Sequence, residues 1–112
     1  MSHIDALFET CKKKEVVAVR PRLCALLLMY KNLPRVGVVY LRTTLYRTSV
    51  QKWLEDMPGL SGEDKRVLMQ KLMKSVGEVV AELKKEMGGV VSAINLRRAI
   101  LRQLLEELRK VA

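Results

Sequence analysis

Over residues 61–111 apolar side chains fall on one side of a helical wheel twice in succession, and only Gly88-Gly89 separates the two runs. In the first run Leu68, Met69, Leu72, Met73, Val76, Val79, Val80, Leu83 and Met87 cover an arc of about 140°, the stripe of a core-facing helix. In the second, Val90, Ala93, Ile94, Ile100, Leu101, Leu104, Leu105, Leu108 and Val111 cover an arc of similar width. Ser61, with Glu63 and Asp64 behind it, suits a helix start. The glycine pair suits a helix end, because glycine accepts the left-handed cap conformation. The spacing therefore predicts a helical hairpin over 61–111, entered through an Asp56-Met57-Pro58-Gly59 turn.

Two amphipathic helices need cover, and the first half of the chain must supply it. Ser2 is placed to cap a first helix, with Asp5 and Glu9 in its early turns and Leu7, Phe8 and Cys11 on its apolar face. Lys12, Lys13 and Lys14 end it. Residues 15–20 (EVVAVR) are β-branched and read as either a short strand or an extended connection. Pro21 suits the first position of a second helix, whose apolar run (LCALLLMY, 23–30) marks it as buried. It stops near Lys31, since Pro34 disfavours helix at Leu33. A third helix is expected from Pro34 to about Asp56, although 36–46 has strong β propensity. On that helix Arg35, Val39, Arg42, Tyr46, Ser49, Val50 and Trp53 share one face, and Leu41 and Leu45 another. Hydrophobic residues make up 49% of the chain but aromatic ones only 4%, so the core must be aliphatic, which suits helix packing. The expected fold is all-α: one domain over 1–112, a compact helical bundle of about five helices with one short extended segment near 15–20. Residues 1–57 would be the basic half and 58–112 the half for core and oligomerisation.

Charge placement narrows function. The chain carries a net +9, and residues 10–54 hold ten Lys and Arg against one acid, Glu15. The remaining segments cancel, so the surplus belongs to the first half. The single histidine, His3, lies near the terminus, and no nucleophile–base arrangement or phosphate loop is legible. Cys11 and Cys24 lack the close spacing of a zinc site and read as reduced, core-packed thiols. No catalytic site, metal or cofactor is expected, nor a small-molecule substrate. No apolar run is long enough to span a membrane, no signal peptide is visible, and an intracellular setting (cytoplasm, nucleoid, or a virion for a packaging protein) is expected. Scarce Asn and Gln beside abundant Lys, Arg, Glu and Val fit a protein that works hot.

The candidate partner is nucleic acid, DNA favoured over RNA. Arg35, Arg42, Tyr46 and Ser49 on the third helix combine guanidinium forks with hydrogen-bonding groups suited to a phosphate backbone. Arg47 and Lys52 add local potential. Lys12, Lys13, Lys14, Arg20 and Arg22 form a basic run beside them, and Arg98 and Arg102 line one edge of the last helix. Trp53, Leu101, Leu104 and Leu108 are expected at an interface between copies. Arg97, placed inside an apolar arc, calls for a partner there too. Residues 38–60 resemble a helix-turn-helix unit, with Leu41 and Leu45 on its first helix and Thr48, Ser49, Val50 and Leu54 opening a recognition helix. That resemblance implies Thr48, Ser49, Gln51 and Lys52 towards the major groove. The turn is about two residues shorter than the usual pattern, and Tyr46 replaces its glycine. The sequence thus points to a non-enzymatic, self-associating nucleic-acid binder that reads backbone: a coating or packaging nucleoprotein, or a helical subunit of a nucleoprotein complex. An acidic protein partner and a dimeric helix-turn-helix regulator are the alternatives. Attachment to an anionic membrane surface is disfavoured by the lack of a clean apolar face opposite the cations.

Overall fold

Residues 23–29 of a single helix are all buried, and the rest of the chain is arranged around them. The computed structural model describes residues 3–111. Their order is α1 (His3–Thr10), α2 (Lys14–Val19), α3 (Pro21–Lys31), β1 (Val38–Tyr40), a 3-10 turn (Thr43–Tyr46), α4 (Arg47–Glu55), α5 (Gly62–Met87), β2 (Val90–Ser92) and α6 (Ala93–Val111). The mostly-α bundle expected from the sequence is what forms. The Ser2 cap lies outside the described residues.

The long C-terminal helices form where the periodicity placed them. Ser61 caps α5 by accepting a hydrogen bond from the Asp64 amide at 3.0 Å, and Leu68, Leu72, Val76, Val79, Val80 and Leu83 are buried along its stripe. Gly88, at φ +89°, ends it in a conformation that side chains with a Cβ rarely adopt. Both α5 and α6 pack most extensively against α3, but the buried face of α6 is Ala93, Leu96, Ala99, Ile100 and Leu104, while Ile94 and Leu105 of the expected arc stay exposed. Arg22 of α3 ties the three together. It donates to Glu82 of α5 at 2.7 Å, and to Glu107 and Gln103 of α6 at 3.0 Å each.

Three expectations need correction. Residues 15–20 are not extended: α2 is helical, with Val17 wholly buried against α3 and α5. Propensity differences of a few tenths of a kcal/mol per β-branched residue are small beside the ~1.5–3 kcal/mol of one buried valine. Residues 34–56 do not form one helix. Gly37 turns the chain at φ +99° and residues 38–40 become a strand, so the strong β propensity of that stretch decides. Its antiparallel partner is 90–92 in the register Val38↔Ser92, Val39↔Val91, Tyr40↔Val90. Consequently α6 begins at Ala93 rather than near Val90.

The cysteines are also corrected. Cys11 and Cys24 are buried and joined by a disulfide, with Cα atoms 5.6 Å apart, and are not reduced thiols. Folding α2 back between them brings the end of α1 beside α3, a juxtaposition that spacing alone does not reveal. Disulfides persist in oxidising compartments and, inside cells, mainly in proteins of hyperthermophiles.

Among the described residues no helix is long and apolar enough to cross a membrane.

Candidate nucleic-acid interface

The break at Gly37 redistributes the basic residues. Arg35 and Arg42 now flank a strand, whereas Ser49, Lys52 and Trp53 belong to α4, so the single Arg–Tyr–Trp face does not exist. Nor does the helix-turn-helix unit form as drawn: Leu41 ends a strand ladder, and Leu45 lies in the 3-10 turn that runs straight into α4.

Tyr46 cannot contact a ligand at the surface. It is buried, and its hydroxyl has no hydrogen-bond partner among the described residues. Burial pushes its phenol from 10.0 up to about 12. The folded chain therefore keeps the proton where the unfolded chain, at the ordinary value, releases it. Stability attached to Tyr46 is intact below pH 10 and is lost as pH rises towards about 12. Tyr46→Phe should lessen that alkaline loss, seen by comparing thermal melts at neutral pH and near pH 11. At neutral pH it should leave the melting temperature equal or higher, and retention of nucleic acid unchanged. A substantial drop at neutral pH would show a hydroxyl bond that this geometry lacks.

Several other cations are engaged within the fold. Arg22 is held by the two carboxylates and the amide described above, which leaves it little freedom to grip phosphate. Its guanidinium is pulled down by burial, but Glu82 and Glu107 outweigh this and the net shift is upward. Lys12 pairs with Glu9 and lies over the Phe8 ring, Lys14 reaches Asp64 at 3.5 Å, and Arg102 pairs with Glu86. Trp53 makes an internal tie. Its Nε1 donates to the Cys11 carbonyl at 3.0 Å and its ring meets Phe8 edge-on. Leu104 is wholly buried, and Leu108 is partly buried against the same core.

The structure gathers another set. A concavity of about 660 Å³ is lined by Lys31, Arg35, Arg97 and Arg98 with no carboxylate among its lining residues. Tyr30, Ile94 and Leu101 form part of its wall. Arg97 is not buried in an apolar arc: it is exposed, lies over the Tyr30 ring at 5.3 Å, and donates to the Tyr30 hydroxyl at 3.0 Å. The neutral phenol orients this guanidinium without cancelling its charge. Lys31 pairs with Asp5 at 3.1 Å, which moderates one of the four cations. Arg35 and Arg98 are exposed and make no ion pair among the described residues. Leu33 and Pro34 also wall a neighbouring concavity of about 750 Å³, which adds Arg42, Ser49, Tyr40 and Leu45, again with no acid in its lining.

Lys13, Arg20, Arg47 and Lys52 are not among the residues lining either concavity. Arg47 lines a smaller one with Lys65, Arg66 and Glu55. Spacing overlooked Lys31, Tyr30 and Tyr40. The available signal was a pair of β-branched runs, 38–40 and 90–92, each preceded by glycine.

No family model, curated protein or solved structure matches this chain.

Proposed function

We propose that this chain is a non-enzymatic nucleic-acid-binding protein that grips the phosphate backbone through the two adjoining concavities. The observation that carries the reading is their lining: Lys31, Arg35, Arg97 and Arg98 on one side of Leu33–Pro34 and Arg42 on the other, with no carboxylate. Nothing in that lining cancels the field that a polyanion would meet, and the guanidinium planes suit phosphate oxygens. Tyr46 lies at the wall of the larger concavity but is almost wholly buried, and Arg22 is occupied within the fold, so neither is assigned a phosphate contact. Backbone reading fits a coating or packaging nucleoprotein, or a subunit of a larger nucleoprotein complex, with DNA favoured over RNA.

Anisotropy titrations with duplex DNA, single-stranded DNA and RNA test the reading. Four or five phosphate contacts predict that affinity falls roughly 150- to 500-fold between 50 and 200 mM salt. Affinity insensitive to salt, or no retention of any of the three at low salt, would refute it. An acidic protein partner, the second reading, would use the same unpaired cations, and loss of such a partner with nucleic-acid retention unchanged in the arginine variants would favour it.

A further inference from the structure

The hairpin-like ladder of β1 and β2 presents an unusual outer face. Hydrogen bonds from Leu41 to the Gly89 carbonyl and from Ala93 to the Gly37 carbonyl continue the pairing one step beyond each end of the strands. Alternation then turns Val39, Val91, Leu41 and Ala93 inward, where all four are buried. It turns Val38, Tyr40, Val90 and Ser92 outward, and Val36 and Ile94, just beyond the ends of the strands, are exposed as well. Five of these six are large and apolar, at 84%, 63%, 63%, 53% and 61% exposure for Val36, Val38, Tyr40, Val90 and Ile94. A ribbon with one solvated face ordinarily alternates apolar-in with polar-out, and this one does not. Leu45 adjoins the patch, in the same concavity as Val38 and Tyr40.

We propose that this outer face is covered by the same face of a second copy of the chain, the two ribbons packing against each other about a twofold axis. The area supports it. The five side chains expose roughly 600 Å², at the upper limit of what a monomer leaves open. Two such faces with part of their rims remove on the order of 1,200 Å², where stable interfaces begin. The chemistry supports it as well. The face carries two hydroxyls, of Tyr40 and Ser92, and no charge, so it is complementary to itself, whereas Arg35 and Arg42 flank it at the rim. An isolated two-stranded ribbon is marginal in water, and cover on its second face would secure it. This places self-association on β1 and β2; the seam borders the two concavities through Tyr40, Leu45 and Ile94 and leaves their arginines at its rim, and the association itself does not depend on the nucleic-acid reading.

Sedimentation equilibrium on nuclease-treated full-length protein tests the proposal, at concentrations from about 5 to 200 µM in low and high salt. The expected species has twice the 12.8 kDa chain mass. Its association should hold or tighten as salt rises, because only like-charged rims oppose it, whereas binding to DNA weakens under the same change. Val38→Lys, and separately Val90→Lys, should weaken dimerisation by at least about 50-fold, since each sets two ammonium groups in an apolar seam. Both sites are exposed in the single chain, so the circular dichroism melt extrapolated to low concentration should be unchanged. A wild-type monomer at 200 µM in both salts, or a dimer indifferent to both substitutions, would overturn the proposal while leaving the salt-dependent binding test intact.

Discussion

Reversing Arg35 and Arg98 together to glutamate should lower affinity for duplex DNA by about 100-fold at physiological salt. Both guanidinium groups are exposed and neither makes an ion pair among the described residues, so no internal contact is broken. The thermal melt should therefore stay within a degree or two of wild type. A control pair, Lys84→Glu with Arg109→Glu, alters net charge equally at exposed positions outside both concavities. Its affinity should fall less than about 5-fold, because screening confines an exposed charge to roughly a Debye length. Equal losses in the two pairs would mean that total charge, not this surface, attracts the ligand.

Removing the disulfide should have the largest effect on stability. Cys11 and Cys24 are 13 residues apart in sequence. A loop of that size constrains the unfolded chain by about 3 kcal/mol. For a domain of this length that corresponds to a melting temperature lower by roughly 10–15 °C. Cys11→Ala with Cys24→Ala should show that drop, and strong reductant should reproduce it in wild type only once the chain opens, since both sulfurs are buried. Thiol titration of the denatured, unreduced protein should find no free cysteine; two free thiols would contradict the pairing.

Legibility followed the range of the forces involved. The course of α5 was readable because everything that defines it is local: the Ser61 cap, the apolar stripe from Leu68 to Leu83 and the left-handed Gly88. The burial of α3 was readable from its unbroken apolar run behind Pro21. What escaped was set by distant partners. Residues 38–40 satisfy a helical wheel and a strand equally, and only pairing with residues 90–92, half the chain away, settles the choice. The α2 turn that brings Cys11 to Cys24 is short and β-branched, and the burial of Val17 outweighs its local preference.

The candidate site suffered most from this. A wheel drawn through 35–53 joined Arg35 and Arg42 to Tyr46 and Trp53, of which one is core and the other an internal tie to Cys11. The grouping of Arg35 with Arg97 and Arg98 needs the end of α3 beside the start of α6, which no local pattern encodes. The confinement of positive charge to the first half was correct as composition. Its focus in space, however, is completed by two arginines from the second.

We propose that the acid-free concavity beside Leu33–Pro34 holds the phosphate backbone. The most direct test is the slope of log affinity against log salt for wild type and for the Arg35→Glu, Arg98→Glu variant. The slope should be shallower by about two in the variant, one for each cation that no longer displaces a counterion. An unchanged slope with merely reduced affinity would place the phosphate contacts elsewhere and contradict it.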